Sequence, residues 1–280
     1  MTPPGLQRLL AGYLPINLLQ AAVALGTVMV FSRLLTPAEY GRYALATLLV
    51  LWLQTLLFFW LQTGVTRFHD AALTAGRLPR LLATVYAAAA LIAALAGGLG
   101  LIVAASGPER ELVLAGLVAL LPRALFAIGL ECHRAAHRVR RYAWLEGSQY
   151  VLGLLLGVGL ALGFGWGARA PLLGAGLANL IVLLVDLPYL ARQIGGWAWS
   201  WAEVRQLARY GLPLTLSFLF GLVVAGSDRF FIGWLMDERA VGVYAVAYAL
   251  ADRTLTILFN WVRRAARTPP AGSWPIPRAI

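Results

Sequence analysis

Long apolar runs separated by short polar clusters set the rhythm of this chain. Eight stretches are long enough to form one helix each across a bilayer: Leu10–Leu35, Tyr43–Thr63, Leu81–Ala105, Leu112–Leu130, Trp144–Phe164, Leu172–Leu190, Leu212–Leu235 and Val241–Val262. A helix rises about 1.5 Å per residue, so about 20 apolar residues cross a hydrocarbon core roughly 30 Å thick. The runs are about twice the length of a barrel strand and lack its alternation, which leaves helices as the spanning form. The first run is too long for a signal-peptide core and ends without a small-residue cleavage pattern, so it is expected to remain as a span.

Composition agrees with lipid as the solvent. The 280 residues are 60% hydrophobic and 12% charged, with a mean hydropathy of +0.75. A soluble domain carries roughly twice that charged fraction. The net charge of +11 comes entirely from Arg, since the chain contains no Lys. These arginines cluster between the apolar runs, as around membrane spans and unlike a groove for a phosphate backbone, so a nucleic-acid partner is not expected. With the N-terminus inside, 15 arginines fall in cytoplasmic segments, 5 on the opposite side and 3 within spans. That asymmetry predicts a multi-pass protein with both termini cytoplasmic. The Lys-free, Ala/Leu/Gly/Arg-heavy usage suggests a bacterial host with a GC-rich genome, and so the bacterial inner membrane.

Between Arg192 and Arg209 lie Trp197, Trp199 and Trp201, and Ser200 and Glu203 have capping-box spacing. Trp201, Val204 and Ala208 share a helical face, so 192–209 is predicted as an interfacial linker helix on the cytoplasmic surface. An ordinary amphipathic linker is the plainer alternative.

Two stretches match without a gap at an offset of 201 residues. Leu34, Gly41, Tyr43, Ala44 and Ala46 recur as Leu235, Gly242, Tyr244, Ala245 and Ala247. Each stretch holds a span exit, a very short outer turn and a small-residue entry into the next span. Glycine suits the turn and alanines permit close helix contact. Repeats that run the same way build transporters with a site between their halves.

The segment Arg33-Leu34-Leu35-Thr36-Pro37-Ala38-Glu39-Tyr40-Gly41-Arg42-Tyr43-Ala44 resembles the first outer turn of the polysaccharide-transport family of oligosaccharide flippases. These belong to the multidrug/oligosaccharidyl-lipid/polysaccharide exporter superfamily. Tyr210-Gly211-Leu212-Pro213, Asp228-Arg229-Phe230-Phe231-Ile232-Gly233 and the run from Val241 to Tyr248 resemble the start of that family's second lobe. The resemblance covers about residues 8–262 and implies two six-helix lobes around a central cavity, working by alternating access. The substrate it implies is an undecaprenyl-pyrophosphate-linked oligosaccharide for surface polysaccharide or O-antigen, with membrane lipid and a polysaccharide polymerase or synthase as partners.

The expected fold is therefore an all-α membrane protein of about eight transmembrane helices. Residues 1–191 form one six-helix lobe and 210–262 the first two helices of a second. Residues 263–280 are Pro-rich, are expected to be disordered, and read like an out-of-frame or truncated end.

Charges at membrane depth cost at least ~2.5 kcal/mol on insertion scales and call for a reason. Arg123, Arg229 and Arg253 are the candidates for a cavity that holds a pyrophosphate, because a guanidinium is a planar fork of donors that stays charged in a dry site. Asp228 and Asp252 adjoin two of them. The competing reading is crosswise pairing, Asp228 with Arg253 or Asp252 with Arg229; Asp252 is also a candidate for a proton or coupling cation. Asn17, Gln20, Gln54 and Gln62 either line the cavity or hydrogen-bond between helices. Gly153 and Gly157 have the spacing for close helix packing. Cys132, His133 and His137 lack a zincin glutamate and stand among Arg134, Arg138, Arg140 and Arg141, so no metal is expected. No cofactor fingerprint or catalytic triad appears, and an enzyme is not expected. A membrane scaffold for a polysaccharide synthase, an exporter of drugs or peptidoglycan precursors, and an inactive product are the other readings.

Overall fold

The structure is a computed structural model that describes the backbone of residues 4–107, 109–194, 196 and 198–267. Side chains are described for residues 16, 18–107, 109–194, 196 and 198–252. It is an all-α membrane protein. Its helices are α1 (Pro4–Leu34), α2 (Pro37–Thr74), α3 (Leu78–Ser106), α4 (Arg110–Ala135), α5 (Val139–Phe164), α6 (Arg169–Ile194), α7 (Trp201–Leu235) and α8 (Glu238–Arg267). Six of them, α2 to α7, are long and apolar enough to cross a membrane, and the described part of α1 adds a shorter apolar stretch, Leu18–Leu34. Every predicted run falls within one helix, apart from a residue at the end of the first.

Short connections force neighbours to run antiparallel, which sorts the turns onto two ends. At the basic end, Arg77 after α2 pairs with Glu203 on α7 at 2.6 Å, and Arg80 on α3 donates to Ser200 at 3.1 Å. At the far end, Arg169 on α6 pairs with Glu111 on α4, and Arg42 on α2 pairs with Glu238 on α8 at 2.8 Å. Both side chains of the last pair are more than 40% exposed, so Glu238→Gln should change thermal stability by less than about 1 kcal/mol.

Helix α2 is the hub. Its Phe58, Leu61 and Val65 are fully buried with Leu81, Leu82 and Val85 of α3, Leu120, Ala124 and Ile128 of α4, and Leu207 of α7. Glycines set the closest approaches. A Cβ on Gly211 would overlap the backbone of Trp60, one on Gly174 the backbone of Gly157, and one on Gly176 the carbonyl of Val118. Gly153 and Gly157 pack against Ala175 and Pro171 of α6, so the expected small-residue contact forms within the bundle.

The segment expected to be a separate interfacial helix differs. Residues from Trp201 onward form the first turns of one continuous 35-residue α7, with Pro213 inside it. Ser200 caps the helix by accepting from Glu203 N, but the Glu203 carboxylate turns to Arg77 in place of closing the capping box. Leu207 is fully buried, Phe68 meets Tyr210 at 5.7 Å, and these contacts hold the extension upright along α2. The tail also differs: α8 continues through Arg263 and Arg264 to Arg267, and the rest of 263–280 lies outside the described residues.

The 201-residue offset reappears in three dimensions. Helix α1 ends at Leu34 and α7 at Leu235; α2 starts at Pro37 and α8 at Glu238. Thr36 caps α2 by accepting from Glu39 N, and Asp237, its counterpart, caps α8 by accepting from Ala240 N at 2.7 Å. The two turns pack on each other reciprocally. A Cβ on Gly41 would overlap the Glu238 carbonyl, and one on Gly242 would overlap the Pro37 carbonyl. Residues 37 and 238 are themselves counterparts, so the contact has the form of a two-fold interface within one chain. Ala44 and Ala245 are buried in one cluster beside it.

Candidate functional site

Two groups of polar side chains stand within the helical bundle. The first lies toward the far end, around α2, α4, α7 and α8. Arg229 is half-buried, with its guanidinium 5.0 Å from the centre of the Tyr248 ring. Its buried Nε has no hydrogen-bond partner among the described residues. Asp228 accepts from the Tyr244 hydroxyl and, at 2.8 Å, from the backbone N–H of Arg229. Tyr40 lies within electrostatic reach of Arg229, and Tyr43 within reach of Arg123. Tyr40 and Tyr43 meet edge to face at 5.7 Å. Arg123 is exposed on α4 and has no ion pair among the described residues. By helix rise it sits about 20 Å from the start of α4, and Arg229 about 9 Å from the end of α7.

This geometry separates the two expectations for the charged residues. Asp252 and Arg229 do not pair: Asp252 is exposed, and Arg229 lies over an aromatic face. Asp228 is held by a tyrosine. The Arg253 side chain lies outside the described residues, and so does its pairing with Asp228. Gln20 donates to the Tyr150 hydroxyl at 2.7 Å, joining α1 to α5 in the way expected of an interhelical hydrogen bond. Gln54 is buried with its amide oxygen unpartnered among the described residues, and Gln62 is half-buried on the same helix. The Asn17 side chain lies outside the described residues.

The second group is at the basic end, where the turn between α4 and α5 is tight. His137 takes a left-handed conformation with φ 54°, and Arg138 N–H donates to the His133 carbonyl at 2.9 Å. The turn returns the chain so that His133 and Arg141 both reach Asp186 on α6. His133 Nε2 bonds Oδ2 at 2.7 Å, while Arg141 gives Oδ1 two bonds, of 2.8 and 2.5 Å. Asp186 and His133 are each at most 2% exposed at the side chain. Tyr189 lies 4.0 Å from the Arg141 guanidinium and 5.1 Å from the His133 ring. Sequence reasoning missed this centre. The available signal was a lone carboxylate inside the sixth apolar run; its partners lie 53 and 45 residues away, and nothing in the pattern aligns them. Among the described residues, no group of three or more His, Cys, Asp or Glu is placed to hold a metal.

Charged groups within the helices, a parallel internal repeat and six helices long and apolar enough to cross a membrane together describe a membrane protein with ionic contacts in its interior. Comparison with curated proteins gives no match, and comparison with solved structures gives none. A family model described as "Polysaccharide biosynthesis protein" matches residues 30–269. The match covers both copies of the repeat and all of α2 to α7, and the chain belongs to the polysaccharide biosynthesis protein family.

Proposed function

We propose that this chain acts in moving a polyprenyl-pyrophosphate-linked oligosaccharide across the bacterial cytoplasmic membrane by alternating access, as a transporter and not an enzyme. The observation that carries the reading is that Arg123, exposed on α4, and the half-buried Arg229 on α7 stand along their apolar helices with no carboxylate on either among the described residues. An arginine kept at depth only for packing would be expected to hold an acidic partner, as Arg141 does with Asp186. Both instead leave donors available. A pyrophosphate offers acceptors that match the guanidinium fork. Asp228, next to Arg229 in the chain, is tied to Tyr244 instead.

The test uses the whole chain in vesicles carrying a labelled polyprenyl-pyrophosphate glycan in one leaflet, with transfer to the other leaflet as readout. Arg123→Gln and Arg229→Gln should each slow transfer by about 10-fold or more, the scale of losing one charge-assisted hydrogen bond. Lysine at either site should restore part of the rate. Unchanged transfer in the double glutamine variant would remove the proposal. Vesicles in which the unaltered chain transfers nothing, but binds a polysaccharide synthase, would favour the scaffold role.

A further inference from the structure

Beside the centre around Asp186, and sharing Arg141 with it, lies a groove of 770 Å³ at the basic end, between α5 and α6. Its rim is His137, Arg138, Arg140 and Arg141; its wall is Trp144, Leu145 and Val185. No acidic residue lines it among the described residues. Arg138 and Arg140 are exposed and have no carboxylate partner among the described residues. Arg138 is stacked 4.8 Å over Tyr189, and Arg141 is fixed by Asp186 and by the same ring, so the rim is braced. Trp144 and Val185 are 59% and 54% exposed and stand where the fifth and sixth apolar runs begin and near end. By helix rise they lie about 8 and 14 Å inside their helix ends. The groove is thus cationic at the level of headgroups and apolar at the level of acyl chains.

We infer that this groove is a binding site for an anionic bilayer phospholipid, whose phosphate meets Arg138 and Arg140 while one acyl chain lies along Trp144 and Val185. A free phosphate would use the rim but leave the apolar wall wet. A zwitterionic lipid would fill the wall but set an ammonium against the arginines. Basic pockets between helix ends select anionic headgroups for this reason. The site is separate from the arginines of the proposed translocation path, and it stands or falls independently of that function.

Trp144 supplies the reporter. The full chain and its Trp144→Phe variant are placed in phosphatidylcholine vesicles containing brominated phosphatidylglycerol or, in parallel, brominated phosphatidylcholine. The difference between chain and variant isolates quenching of Trp144. Brominated phosphatidylglycerol should be preferred by about fivefold or more, the scale of one or two arginines at a membrane surface. Arg138→Gln with Arg140→Gln should bring the preference close to one. Arg205→Gln with Arg209→Gln removes the same charge from the same end of the molecule and should leave the preference in place. Three results overturn the inference: equal quenching by both lipids, equal loss in both double variants (diffuse surface attraction), or reversal by millimolar inorganic pyrophosphate (a soluble phosphate as occupant).

Discussion

Gly242→Ala is expected to lower the unfolding free energy by about 2 kcal/mol, and Gly41→Ala by a similar amount. Two opposing effects set the figure. Alanine is the better helix former by about 1 kcal/mol, and both positions are helical. Against that, the added methyl would overlap a backbone carbonyl, Pro37 O for Gly242 and Glu238 O for Gly41. A carbonyl in a first helical turn cannot rotate aside as a side chain does, so the two helix starts must separate. Overpacking of this kind costs about 3 kcal/mol at the upper end of its usual range, which exceeds the gain in propensity. Once one methyl has parted the helices, the second meets less resistance. The double variant should therefore fall short of the sum by about 1 kcal/mol. Gly159→Ala is the control: its Cβ meets nothing within 4 Å, and it should be neutral or slightly stabilising. Thermal unfolding of the unaltered chain and the four variants in detergent measures all of this. A strictly additive double variant would show that the two repeat turns do not touch.

The second large effect is expected at Asp186. Its carboxylate receives His133 on one oxygen and Arg141 on the other, with the aspartate side chain 2% exposed. Removing one member of a buried ionic set generally costs about 3–5 kcal/mol, because a charge is left without compensation. Arg141 is 37% exposed and can turn partly to water, which places Asp186→Leu near the lower limit, about 3 kcal/mol. Pairing it with Arg141→Leu should recover part of the loss, since the guanidinium is then no longer left without its carboxylate, while His133 still lacks its partner. Asp186→Asn keeps the shape and should lie between the single leucine variant and the unaltered chain. Midpoints in a denaturant series in detergent read the order directly. If Asp186→Leu proves as stable as the unaltered chain, the three groups do not form a set.

Hydrophobic run length sufficed for the helices, because a bilayer accepts few other forms and each run needs only local counting. It also set the order of basic and non-basic turns along the chain, and the repeat, whose offset returns at helix ends and caps alike. The candidate residues were less legible. Charge at depth drew attention to Arg123, Arg229 and Asp228, yet the partner of Asp228 is Tyr244, a residue singled out only as part of the repeat. The contact Arg229 makes, with Tyr248, depends on the crossing of α7 with α8, which no spacing along one helix expresses.

Periodicity and composition alone determined that this chain is a bundle of apolar helices with arginine-rich loops and a doubled hairpin. Those features follow from the solvent each residue must face, one segment at a time. Tertiary structure decided which helices touch, that α7 runs unbroken along α2, and that His133, Arg141 and Asp186 close on one another. Such choices depend on glycine-sized clearances and on the rotation of each helix about its axis, and both arise only when distant segments meet.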